Sequence, residues 1–195
     1  AIILERDQGN AQFGASVAAA ADINADGYSD IVIGAPFYDN GETDEGAVFI
    51  YHGSAVGLSN TVAAVIESNQ ANAQMGISVS GAGDVNGDGY SDVIIAAPYF
   101  DNGETDEGVV WVYHGSATGI VTPYALLLEG NQSNAQFGYS IAGAGDNNGD
   151  GYGDIVIGAP YFDREETDEG AAFVYYGAAS SINNAPVAIL ESDQA

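Results

Sequence analysis

The chain repeats itself every 62 residues, and this period limits the possible folds more than any other property of the sequence. Residues 10–71 and 72–133 agree at 36 of 62 positions without a gap, and 134–195 follows the same pattern. A period of this kind encodes one supersecondary unit stacked against copies of itself. The first nine residues, AIILERDQG, match VAILESDQA at 187–195, so 1–9 reads as the tail of a preceding repeat.

Each repeat carries four apolar or alternating segments bounded by turn residues, which predicts four strands. In the first repeat they are FGASVAA from Phe13, DIVIGAP from Asp30, AVFIYHG from Ala47 and AAVIES from Ala63. The second and third are nearly continuous runs of Val and Ile, as expected of strands covered on both faces. Pro36, Pro98 and Pro160 mark where pairing of the second strand stops, since proline cannot donate to a ladder. DNGETDEG at 39–46 and 101–108, and DREETDEG at 163–170, read as acidic surface hairpins, a second cation site or contact surface being the sharper alternative. The expected fold is therefore all-β: four-stranded antiparallel β-propeller blades at 10–71, 72–133 and 134–195, with an extra N-terminal outer strand within 1–9.

Between the first two strands of every repeat lies one acidic loop: DINADGYSD at 22–30, DVNGDGYSD at 84–92 and DNNGDGYGD at 146–154. Oxygen-bearing side chains fall at positions 1, 3, 5 and 9, and Gly at position 6 permits a sharp turn. Oxygen donors in this pattern suit Ca²⁺, a hard cation that takes about six to eight of them. The expected ligands are Asp22, Asn24, Asp26 and Asp30 with the carbonyl of Tyr28, then Asp84, Asn86, Asp88, Tyr90 and Asp92, then Asp146, Asn148, Asp150, Tyr152 and Asp154, giving three ions. An EF-hand would continue into a helix with Glu at position 12, where this chain has Ile33, Ile95 and Ile157 in β-rich runs. The ninth-position Asp is expected to close the cage instead. An ordinary Asx turn without an ion is the competing reading.

Charge narrows the function classes. The chain has 28 acidic and two basic residues, Arg6 and Arg164, for a formal charge of −26. Such a surface repels phosphate, so nucleic acid is excluded as a partner and direct membrane insertion is not expected. The absence of cysteine removes disulfides, thiolate catalysis and Cys-based metal sites. No signal peptide or transmembrane run is present, and a chain beginning at Ala1 reads as a mature form or part of something longer.

The combined pattern resembles the FG-GAP repeats of integrin alpha-subunit β-propellers and of bacterial surface or secreted proteins. Phe13-Gly14 and Phe137-Gly138 match the FG element, with Met75-Gly76 departing; Gly34-Ala35-Pro36 and Gly158-Ala159-Pro160 match the GAP element, with Ala96-Ala97-Pro98 departing. The resemblance implies structural calcium and a propeller of about seven blades, more than this chain supplies. Further repeats or other copies of the chain would then complete it. The resulting expectation is a non-enzymatic, extracellular or cell-surface structural or adhesive module that contacts another protein, a glycan or itself. The alternatives are the propeller of a secreted hydrolase and a carbohydrate-binding module. His52 and His114 read as strand-end packing or surface exposure because no nucleophile is evident beside them.

Overall fold

A computed structural model describes residues 2–191. The first sheet contains β1 (Ser16–Ala21), β2 (Asp30–Ala35), β3 (Ala47–Tyr51) and β4 (Ala64–Glu67), paired in chain order and antiparallel throughout. The second repeats this with β5 (Ser78–Gly83), β6 (Asp92–Ala97), β7 (Val109–Tyr113) and β8 (Leu126–Glu129). In the third, β9 (Ser140–Gly145), β10 (Asp154–Ala159) and β11 (Ala171–Tyr175) are followed by a small hairpin, β12 (Gly177–Ala178) with β13 (Ser181–Ile182), before β14 (Ala188–Glu191) completes the sheet. All four strands expected in each repeat are present.

The first strands, β1, β5 and β9, lie side by side, and the sheets pack face to face. One face of the first sheet, with Val32, Val48, Ile50 and Ile66, packs against Val79, Val93, Ile95, Val109 and Trp111 of the second. The opposite face of the second, with Ile94, Val110, Val112 and Leu128, packs against Phe137, Ile155, Ile157 and Phe173 of the third. This two-sided covering explains the unbroken Val and Ile runs: both pleat faces of β6 and β7 are fully buried.

Backbone hydrogen bonds repeat at the two junctions. The amides of Asn72, Gln74 and Met75 donate to the carbonyls of Thr43, Asp44 and Glu45 at 2.8, 3.1 and 3.0 Å. Those of Asn134, Gln136 and Phe137 donate to Thr105, Asp106 and Glu107 at 2.8, 3.2 and 2.9 Å. At the first junction the sheets approach so closely that a Cβ on Gly34 would stand 2.0 Å from the Gly76 carbonyl oxygen. Gly14 differs: it has φ +90° and open space around it, so it serves a turn.

Two features depart from the sequence reading. Residues 2–6, which carry the sequence of an outer strand, form no ladder; β4 already occupies the outer edge of the first sheet. Leu4 instead packs against the cluster of Ile33, Phe49 and Tyr51, and the Arg6 guanidinium lies 4.9 Å from the Phe49 ring centroid. The acidic hairpins are not simply solvated loops either, because Glu45 and Glu107 are buried at 0% and 1% exposure. Glu45 accepts the amides of Asn40 and Glu42, and Glu107 those of Asn102 and Glu104, so each carboxylate organises its own loop; Glu107 also accepts the Asn131 amide from the connection after β8. The flanking aromatics Tyr38, Phe100 and Phe162 pack edge-on against Phe49, Trp111 and Phe173 of their own sheets.

Two substitutions test this packing. A bulge in β1 puts Ala21 at φ 52°, where the equivalent strands have Gly83 and Gly145 at φ 74° and 70°. Ala21→Gly is expected to raise stability by about 1 kcal/mol in urea denaturation through relief of the left-handed conformation. Gly76→Ala should lower it by roughly 2–4 kcal/mol, because φ is +87° and the added methyl meets Ala47 and Gly34 backbone at 2.9 and 3.1 Å.

Candidate metal loops

Each acidic loop is held by Asx turns and anchored by its last residue. In the first, Asp22 accepts the amides of Asp26 and Gly27 at 3.1 and 2.7 Å, Asn24 accepts the Asp26 amide at 3.1 Å, and Asp26 accepts the Tyr28 amide at 3.0 Å. The second and third loops keep this set around Asp84 and Asp146, with an added contact from Gly87 and Gly149. The Gly151 amide above all, helped by those of Gly149 and Asp150, holds the Asp146 carboxyl below the usual carboxylate range against the opposing effect of desolvation.

The ninth-position carboxylates have no solvent exposure. Asp30 accepts the Ile23 amide on Oδ2 and the Gly53 amide on Oδ1, both at 2.9 Å. Asp92 does the same with Val85 and Gly115, and Asp154 with Asn147 and Gly177. Each therefore ties the start of its loop to the residue group just past the third strand, a role the spacing did not reveal. Burial pushes Asp92 up to about 7 against the lowering effect of its amides from Gly115 and Val85, with Asp88 and Asp84 adding to the rise.

Among the described residues, no three acidic or histidine side chains converge closely enough to form a ready-made metal cage. The donor chemistry nevertheless fits a hard cation, since positions 1, 3, 5 and 9 offer side-chain oxygens and position 7 a carbonyl. In every loop the third and fifth positions already face each other: the Nδ2 atoms of Asn24, Asn86 and Asn148 donate to Asp26, Asp88 and Asp150 at 3.2, 2.9 and 2.8 Å. Turning that side-chain amide over would present its oxygen in place of its nitrogen. Tyr28 is exposed at its side chain, leaving its backbone carbonyl as the relevant group.

The histidines sit next to these loops. The Asn24 Nδ2 donates to His52 Nδ1 at 3.2 Å. His114 Nε2 lies 3.1 Å from Ser181 Oγ, a contact between sequence-distant residues that the sequence reading did not foresee. Among the described residues, no carboxylate hydrogen-bonds to the other ring nitrogen of His114, so the pair lacks the orienting member of a nucleophilic triad. Burial lowers the His114 pKa, with Asp88 and Asp84 opposing. The contact fastens the β12–β13 hairpin to the second sheet.

The repeated sheets and loops have counterparts in known proteins. The FG-GAP repeat model matches residues 13–51, 75–113 and 137–175, each match running from the first to the third strand of one sheet and enclosing its acidic loop. Integrin alpha-6 of Homo sapiens is 40% identical over 148 residues, covering 75% of this chain and 12% of that protein. Integrin alpha-7 of Rattus norvegicus is 34% identical over 160 residues, covering 81% and 14%. Integrin alpha pat-2 of Caenorhabditis briggsae is 36% identical over 165 residues, covering 76% and 13%. The chain thus spans about an eighth of the length of these relatives. Three matched repeats, each mapping onto one sheet and its loop, establish that the chain belongs to the FG-GAP repeat family.

Proposed function

We propose that this chain is a calcium-stabilised, extracellular β-propeller module that acts by protein–protein contact, with one Ca²⁺ in each acidic loop. The coarser part follows from membership of the family: this is a structural or adhesive propeller-like module and not a catalytic one. The observation that carries the calcium reading is the threefold loop whose four side-chain oxygen donors surround a chain turn anchored by a fully buried aspartate. Asp22, Asn24, Asp26, Asp30 and the Tyr28 carbonyl would hold the first ion, with the equivalent sets in the other loops. A bound cation supplies positive charge where carboxylates otherwise repel one another, joining the first strand of each sheet to the second.

A glycan-binding role has one feature in its favour. A groove of about 290 Å³ between the first two sheets is lined by Phe100, Trp111, Tyr113 and Tyr124, with Glu67, Asn69 and Asn102 nearby. Trp111 and Tyr113 are only 4% and 5% exposed, however, so their ring faces are committed to packing and only Tyr124 is substantially open. Protein contact is the better-supported function.

Calcium at about 100 times its dissociation constant should add about 2.7 kcal/mol for each loop that binds it, raising the melting temperature, and excess chelator should reverse this. An identical melting curve in calcium and chelator would contradict the reading. The combined substitution Asp26→Asn, Asp88→Asn, Asp150→Asn should abolish the calcium-dependent shift while leaving the strand content in chelator unchanged.

The pH dependence follows from Asp92. Burial raises its folded pKa to about 7, above the ordinary carboxylate value of 3.8, so the folded state binds this proton more tightly than the unfolded state. In chelator, this group's contribution is present at low pH and is lost as pH rises from about 4 through 7. Calcium competes with that proton, so its stabilising shift should be larger at pH 8 than at pH 5, with proton release measurable by calorimetry in buffers of different ionisation enthalpy.

A further inference from the structure

The acidic hairpins differ at one dipeptide that neither the fold nor the metal loops account for. Residues 39–46 and 101–108 carry Asn40-Gly41 and Asn102-Gly103, whereas the third copy has Arg164-Glu165. The first residue of each pair nevertheless makes the same kind of contact. Asn40 Nδ2 donates to Glu67 of β4 at 2.7 Å, Asn102 Nδ2 donates to Glu129 of β8, and Arg164 ion-pairs with Glu191 of β14 at 2.5 Å. Each contact ties the connection between the second and third strands to the outer strand of its sheet.

An Asn-Gly step is chemically labile, because glycine has no Cβ to keep its amide nitrogen from reaching the asparagine side chain. Reaction requires that nitrogen to be unengaged and the side-chain carbonyl carbon to be free to swing toward it. The chain has four such steps, the other two being Asn86-Gly87 and Asn148-Gly149 in the metal loops. There the Gly87 and Gly149 amides donate to Asp84 and Asp146, both at 2.7 Å. The side chains of Asn86 and Asn148 are also held twice: Oδ1 accepts the Asp88 or Asp150 amide at 2.9 Å, and Nδ2 donates to the carboxylate of that same residue. The hairpins are different. Asn40, Gly41, Asn102 and Gly103 are all exposed, and open space surrounds Gly41. Among the described residues, the amides of Gly41 and Gly103 and the Oδ1 atoms of Asn40 and Asn102 form no hydrogen bond.

We propose that Asn40 and Asn102 are sites of spontaneous deamidation in the folded protein, and that the product releases each hairpin from its outer strand. The Gly41 amide loses its proton to solvent base and its nitrogen bonds to Cγ of Asn40; the Cγ–Nδ2 bond breaks, and the departing nitrogen takes a proton from water and leaves as ammonia. Water then opens the five-membered succinimide. Opening at Cγ leaves aspartate, and opening at the main-chain carbonyl leaves isoaspartate, with the backbone running through the former side chain. None of these steps needs a metal or an enzyme. Either product replaces the amide that donated to Glu67 by a carboxylate, turning attraction into repulsion. Asn102 and Glu129 follow the same course. Arg164 has no side-chain amide to lose, so the third hairpin keeps its tie to Glu191.

The test is to incubate the native chain in calcium at mildly alkaline pH and follow each Asn-Gly step by peptide mapping, with fragmentation that separates aspartate from isoaspartate. Asn40 and Asn102 should convert on the order of ten-fold or more faster than Asn86 and Asn148, whose glycine amides must first leave a carboxylate. In denaturing urea all four should convert at similar rates. The combined substitution Asn40→Asp, Asn102→Asp mimics the aspartate product and should lower the melting temperature by about 2–4 °C. Equal rates at the four steps in the folded chain would overturn the assignment, as would intact Asn40 and Asn102 under conditions where the denatured chain reacts. An unchanged melting temperature in the aspartate variant would overturn the release of the hairpins.

Discussion

The arrangement depends on one fully buried carboxylate per repeat. Asp30, Asp92 and Asp154 each accept one amide from the beginning of their loop and one from the residue just past the third strand's end. A single side chain thereby fixes three separated stretches of backbone. Burying a carboxylate is costly unless hydrogen bonds and opposite charge offset it, and the two amides meet only the first requirement. The proposed cation meets the second, which links the composition of the loop to the stability of the sheet.

The same loops shape the contacts between sheets. The Asp22 and Asp84 carbonyls accept amides from the next repeat at 3.0 and 2.8 Å, so the first position of each loop acts inside its own turn and across a junction. Glu45 and Glu107 do comparable work in the second-to-third-strand connection: their carboxylates shape the hairpin, and their carbonyls accept Met75 and Phe137 of the next sheet. Acidity here is partly structural. It is distributed over loop ends that determine how one sheet meets its neighbour.

Much of this was legible in the sequence. The strands were readable because Val and Ile runs recur at constant spacing between Gly-rich turns, and the GAP-type proline marks the end of the second strand at Ala35, Ala97 and Ala159. The start of the first strand was less so: Gly14 at φ +90° and the turn closed by the Ala15 amide on Gln12 delay pairing until Ser16. Two-residue strands such as β12 and β13 carry no periodic pattern to read. The burial of Glu45 and Glu107 was hidden because loop acids ordinarily face water, and their backbone partners are invisible to composition. The loop oxygens were identifiable by spacing, whereas the use of both Asp30 oxygens as amide acceptors depends on where β3 ends.

Calorimetric titration of calcium into the metal-stripped chain tests the central claim most directly, since it counts the cations that the buried aspartates and their loops are proposed to hold. The account predicts three ions per chain, reduced to two by Asp88→Asn in the second loop. Absence of binding at millimolar calcium would contradict it.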